Sequence, residues 1–89
     1  MKIKDGFVMR KVGGGYVAVP ILERAKEFNG MLRLNETGAF LYSQLMSDKS
    51  AQELVSLLAA DYGIGAEEAE AGVRAFLETM EESGLLEKT

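Results

Sequence analysis

The hydrophobic period changes once along this chain, at Asn35, and that switch limits the folds open to it. Before Asn35 the apolar residues come in short β-branched and aromatic runs; after it they recur at helical spacing. Phe7 to Val12 is the first run. Gly13-Gly14-Gly15 follows and supplies the positive φ that a tight hairpin needs. Tyr16-Val17-Ala18-Val19 is the second, with Pro20 at its end, where a missing N–H is tolerated. The two segments predict a β-hairpin. Residues 21–29 read as a loop with a single helical turn, and Asn29-Gly30 is a turn signal. Met31-Leu32-Arg33-Leu34 predicts a third short strand, with Leu32 and Leu34 on one face and Met31 and Arg33 on the other.

Asn35 is a good N-cap and Glu36 suits a first helical turn, so the first helix is expected over about 36–46. Phe40, Leu41 and Leu45 fall on one side of it, with Thr37 or Gly38 above them. A glycine at position 38 costs about 1 kcal/mol relative to alanine and implies close approach of another backbone, such as a strand. Ser50-Ala51-Gln52-Glu53 is a capping box. It opens a second helix over about 51–62, with Leu54, Val55, Leu57, Leu58 and Tyr62 apolar, and Gly63 stops it. The third helix is expected over about 66–83, with Ala69, Val73, Phe76 and Met80 as its apolar stripe. Leu77 sits at the stripe's edge, Gly84 ends the helix and Leu85-Leu86 return to the core. The order β-β-β-α-α-α predicts an α+β domain, a small antiparallel sheet with helices packed to one side. It is close to a winged-helix domain with its strands moved to the front.

At 89 residues, 47% hydrophobic and 27% charged, the chain has the composition of one small globular domain, 1–89. A domain of this length buries only roughly 60–65% of the surface its unfolded chain exposes, so most apolar residues must serve the core. There is no Cys, His or Trp. That removes disulfides, a thiol nucleophile, Cys-based zinc or iron–sulfur sites, and the usual acid–base residue. No cofactor and no metal is expected. No apolar run approaches the roughly 20 residues that span a bilayer, and the N-terminus lacks the apolar core of a signal peptide. The expectation is a cytoplasmic protein without membrane contact.

The net charge of −4 is unevenly spread: residues 1–34 are +4, residues 35–65 are −3 and residues 66–89 are −5. The carboxylates of the third helix stand on its polar face, where Glu70, Arg74 and Glu78 are spaced for i,i+4 pairing. Solvated surface explains them better than catalysis, which needs buried carboxylates pushed apart in pKa. Gly13-Gly14-Gly15 is no phosphate loop, because no Gly-Lys-Ser/Thr follows and a strand comes next. Tyr16, Tyr42 and Tyr62 read as core aromatics whose hydroxyls reach the surface. A nucleic-acid reader is disfavoured too. The candidate recognition helix would be the third, and its row of Glu repels phosphate.

A binding module remains. The short third strand offers an edge of N–H and C=O groups to an extended peptide, and the third helix offers a wall. The stripe beside its core face is Glu70, Arg74, Leu77, Glu78 and Glu81. The residues alone leave open the plainer reading, that Met31 and Arg33 are surface residues on an edge protected by charge.

The run Phe28-Asn29-Gly30-Met31-Leu32-Arg33-Leu34-Asn35-Glu36-Thr37-Gly38-Ala39-Phe40-Leu41-Tyr42 resembles the signature of the pyrroloquinoline quinone synthesis protein D family, or PqqD-like proteins. So do Asp61-Tyr62-Gly63 with the Glu-rich residues after it, Phe76-Leu77, and Ser83-Gly84-Leu85-Leu86. The similarity runs over about residues 5–87. It implies three strands followed by three helices in a winged-helix-like arrangement, and no enzymatic activity. It implies a peptide chaperone or adaptor that binds the leader of a ribosomally made precursor peptide. The leader is presented to a modifying enzyme, often a radical S-adenosylmethionine enzyme. Carried over, Met31, Leu32, Arg33 and Leu34 form the backbone-pairing strand. Arg74 and Leu77 become helix-side contacts, and Glu70, Glu78 and Glu81 partners for a basic leader. On that reading Arg74→Glu weakens binding with little loss of stability. Tyr42 stands where many members carry Trp. The segment between Pro20 and Leu34 is longer than in members dedicated to the quinone cofactor, so a different precursor is expected. Two other roles stay open: a scaffold subunit of a partner enzyme without leader binding, and a winged-helix DNA-binding module. The exposed third strand allows a monomer or a strand-paired dimer.

Overall fold

Two glycines close the hairpin. In the computed structural model, which describes residues 1–21, 26 and 31–87, Gly13 and Gly14 connect two six-residue strands, and Gly13 takes a φ of 59°. The elements in chain order are β1 (Lys2–Ile3), β2 (Phe7–Val12), β3 (Gly15–Pro20), β4 (Leu32–Leu34), α1 (Glu36–Gln44), α2 (Ala51–Tyr62), α3 (Ala66–Glu82) and β5 (Leu86–Glu87). The three strands expected from the sequence are β2, β3 and β4. They form an antiparallel sheet in that order, and the three helices follow. The fold is α+β as expected. The loop and turn expected over 21–30 lie almost wholly outside the described residues.

Alternation splits the sheet into two faces. Phe7, Met9, Tyr16, Ala18, Leu32 and Leu34 face the helices and join the core. Val8, Arg10, Val17 and Arg33 take the other face. β4 begins at Leu32, one residue later than expected, and Met31 is 60% exposed.

β1 and β5 were not foreseen. Lys2 pairs with Glu87 and Ile3 with Leu86. The Ile3 N–H also donates to the Leu45 C=O, and the Lys4 N–H to the Leu85 C=O, at 2.9 and 2.8 Å. The Met1 amino group reaches the Asp48 carboxylate and holds it below the usual carboxylate range. Strands of two residues carry no period, and their partner lies at the far end of the chain, so no local signal announces them.

Each helix turns an apolar stripe inward. In α3 the stripe is Ala69, Val73, Phe76 and Met80, all buried as the spacing predicts. Gly65 caps it without a side chain; Glu67 and Glu68 in the first turn complement the helix dipole instead. In α2 Leu54 and Leu58 face the core, Gly63 closes the helix at φ 63°, and the capping box is complete. The Ser50 N–H donates to the Glu53 carboxylate at 2.9 Å. That bond holds the carboxyl below its ordinary value. Its stabilising effect is therefore full above the usual carboxylate range and fades as pH falls through the lowered value.

α1 differs from expectation in which aromatic it buries. Leu41 and Leu45 are buried as expected. Phe40 is only half-buried and meets Tyr62 edge-on, ring centres 5.6 Å apart. Tyr42, one helical step beyond Leu41, is 2% exposed, and its hydroxyl is enclosed with no hydrogen-bond partner among the described residues. The hydroxyl does not reach the surface, and burial pushes its pKa up. Tyr42→Phe is therefore expected to raise stability by about 1 kcal/mol, and Ser50→Ala to lower it by about 1 kcal/mol. Urea denaturation of both variants checks the two signs.

Candidate functional site

Among the described residues no strand pairs with the outer edge of β4, and the chemistry of that edge follows from the hairpin. The Ile21 N–H donates to the Gly6 C=O at 2.8 Å. Bonded and unbonded pairs alternate along an antiparallel ladder. In the observed register the bonded pairs are then Val8 with Val19, Arg10 with Val17, and Val12 with Gly15. Tyr16 and Ala18 accordingly aim their backbone groups at β4, where they meet Leu34 and Leu32. Arg33 is left with both its N–H and its C=O pointing away from the sheet.

Beside this edge lies an open groove of about 390 Å³, within the range of small-ligand and side-chain sites. Arg33, Leu34 and Asn35 form its strand side. Gly38 and Leu41 of α1, with Leu58 of α2, form the floor. The far wall is α3, through Glu68, Gly72, Ala75, Phe76 and Thr79. The small side chains at 72 and 75 are what make room. At Gly72 a built Cβ would lie 3.5 Å from Leu58 Cδ2, an ordinary contact.

The entrance of α1 is held tightly. The Gly38 N–H donates to Asn35 Oδ1 at 2.7 Å. A Cβ at Gly38 would lie 3.1 Å from that oxygen and 3.4 Å from Leu34 Cδ2. The glycine is needed for close approach, as expected, but the neighbours are the cap oxygen and the Leu34 side chain rather than a strand backbone.

The structure separates the residues singled out from the sequence. Arg33 and Leu34 line the groove, Leu32 is half-buried on the inner face, and Met31 stands exposed just before β4. Glu70, Arg74, Leu77, Glu78 and Glu81 lie on the opposite flank of α3. Arg74 bonds Glu70 at 3.0 Å, and none of the five lines the groove. A core stripe has two flanks, and the groove uses the small-residue one. Glu68, Gly72, Ala75 and Thr79 were missed. One signal pointed to them: a glycine inside a helix, where it costs about 1 kcal/mol, marks a place that needs space. Among the described residues no group of acidic side chains is placed to hold a metal ion, and no helix is long and apolar enough to cross a membrane.

The family described as Coenzyme PQQ synthesis protein D (PqqD) matches residues 15–86. The chain belongs to the PqqD family. The match takes in β3, β4, all three helices and every groove residue. Among solved structures, the PqqD-like chain is similar to TbiB1 in complex with the TbiA(beta) leader peptide. The two are 25% identical, with a TM-score of 0.75 over 100% of this chain and 98% of that one. A search of curated proteins gave no match.

The two helical glycines are expected to respond with opposite signs. Gly72→Ala keeps an ordinary contact and gains helix propensity, so it should stabilise by up to about 1 kcal/mol. Gly38→Ala presses on the cap oxygen and should destabilise by about 1 kcal/mol. Thermal unfolding of the two variants distinguishes them; shifts of the same sign would contradict the packing described.

Proposed function

We propose that this chain is a non-catalytic adaptor for a ribosomally made precursor peptide. It holds the leader segment and presents the peptide to a modifying enzyme. The observation that carries the reading is the outward pair of backbone groups at Arg33, beside a groove walled by α3. Family membership supports it, and so does the structural likeness to a protein captured with a leader peptide. The leader adds as a strand to β4, with Met31, Leu32, Arg33 and Leu34 as the pairing segment, and lies against the Gly72–Ala75–Thr79 flank of α3. The modifying enzyme is a radical S-adenosylmethionine enzyme, a choice that rests on the family resemblance, and the complex works in the cytoplasm, where precursor peptides are made.

The physical logic is preorganisation. A fixed strand edge supplies directional backbone bonds, and alternate side chains of the peptide enter the groove. Holding the leader raises the local concentration of the attached core peptide at the enzyme. No acid–base group is required. The charged flank of α3, with the Glu70–Arg74 pair, stays in solvent.

Proline substitutions test the strand. The Leu32 N–H belongs to the ladder with Ala18, so Leu32→Pro should damage the fold. The Arg33 N–H points outward, and proline is tolerated on such an edge position. Arg33→Pro should keep its circular dichroism and melting temperature. It should bind the leader half of a precursor encoded beside this gene at least about tenfold more weakly, the loss of a little over one backbone bond. Arg33→Ala is the control for the side chain, and Arg74→Glu should leave affinity unchanged, the reverse of what the sequence alone implied. Wild-type leader affinity in a folded Arg33→Pro protein would exclude strand addition at β4. Enzyme binding without leader binding by the wild type would leave a scaffold role instead.

A further inference from the structure

Arg10 and Arg33 stand on the outer face of the sheet in one cross-strand row, on either side of Val17. The two positions are two strand spacings apart, about 10 Å. Both side chains are exposed. Neither has an ion-pair partner among the described residues. The row therefore ends, at the edge where a peptide would add, on a guanidinium that no described carboxylate pairs with. Glu68 of α3 lines the same groove as Arg33 but forms no ion pair with it, and the other acidic residues of α3 lie off the groove.

A strand paired with β4 places one of its residues directly opposite Arg33. Cross-strand partners share a face, so that residue stands on the outer face beside the guanidinium. Its two neighbours alternate to the inner side. There they lie over the groove floored by Leu41 and Leu58 and bounded by Phe76. Glu68 at the groove wall repels a carboxylate at either neighbouring position.

We infer that the leader this chain takes carries Asp or Glu opposite Arg33, with an apolar residue on each side of it. The inference rests on the leader-binding reading and narrows it to a peptide class: an extended segment with an apolar–acidic–apolar triplet. The planar guanidinium fork suits a carboxylate in two-point contact better than an ammonium would. Arg10 adds positive potential along the same row without reaching the peptide. The preference is thus set by one side chain on the strand, and it is opposite in sign to the basic leader that the glutamates of α3 would favour.

A displayed library of random dodecapeptides tests this, selected in parallel on the wild-type protein and on Arg33→Glu. Amide shifts at residues 31–35 identify the selected peptides that bind the β4 edge. On the wild type these should share the triplet, and replacing its acidic residue by Lys should weaken binding about tenfold. On Arg33→Glu, folded by circular dichroism, the same position should turn to Lys or Arg. Edge-binding peptides with no acidic position, or with the same preference on both proteins, would overturn the inference while leaving strand capture intact. Finding no peptide that shifts the β4 amides would remove the leader-binding reading and this inference together.

Discussion

The hydrogen-bond phase of the β2–β3 hairpin governs what the domain can offer a partner. A two-residue turn at Gly13 and Gly14 fixes the register, and the bond from Ile21 to Gly6 marks which pairs are bonded. Alternation then carries that phase across β3 to β4. It commits Leu32 and Leu34 to the sheet and turns Arg33 outward. A slip of one residue would reverse every face, burying Arg33 and exposing Leu34. The outward-facing edge of β4 is therefore decided at the opposite end of the sheet.

The helices make the edge usable. α1 begins immediately after β4, and its Asn35 cap ties the strand's end to the first helical turn. α3 crosses beside the edge with small residues at 72 and 75, so strand and helix stand apart by the space of the groove. Large side chains at these positions would close it. Behind the groove, Leu41, Leu45, Leu54, Leu58 and Met80 are fully enclosed, which gives the floor its rigidity. The β1–β5 clasp joins the chain's two ends to this core through Ile3 and Leu85.

Much of this was legible in the residues, and the losses have physical causes. The change of period at Asn35, the capping box at Ser50 and the stripe of α3 are local signals of strong periodicity, and the helices followed them. β4 was legible because Leu32 and Leu34 alternate with Arg33. The two-residue strands were not, since a bridge between chain ends leaves no local trace. Tyr42 was misread because an aromatic with a hydroxyl is equally at home half-exposed, and only packing showed it enclosed. The α3 residues that line the groove were not singled out, for a related reason. Charged residues draw attention as contacts, yet α3 makes space with Gly72 and Ala75 and keeps Glu70 and Arg74 in solvent.

The most direct measurement is residue-resolved amide hydrogen exchange with and without the leader half of a precursor encoded beside this gene. In the free protein Leu32 and Leu34 should already be protected by β3, while Arg33 exchanges freely. Leader binding should slow Arg33 sharply, because its outward N–H acquires a strand partner. An Arg33 amide that stays unprotected in the saturated complex would contradict the account, as would protection gained instead along the Glu70–Arg74 flank of α3.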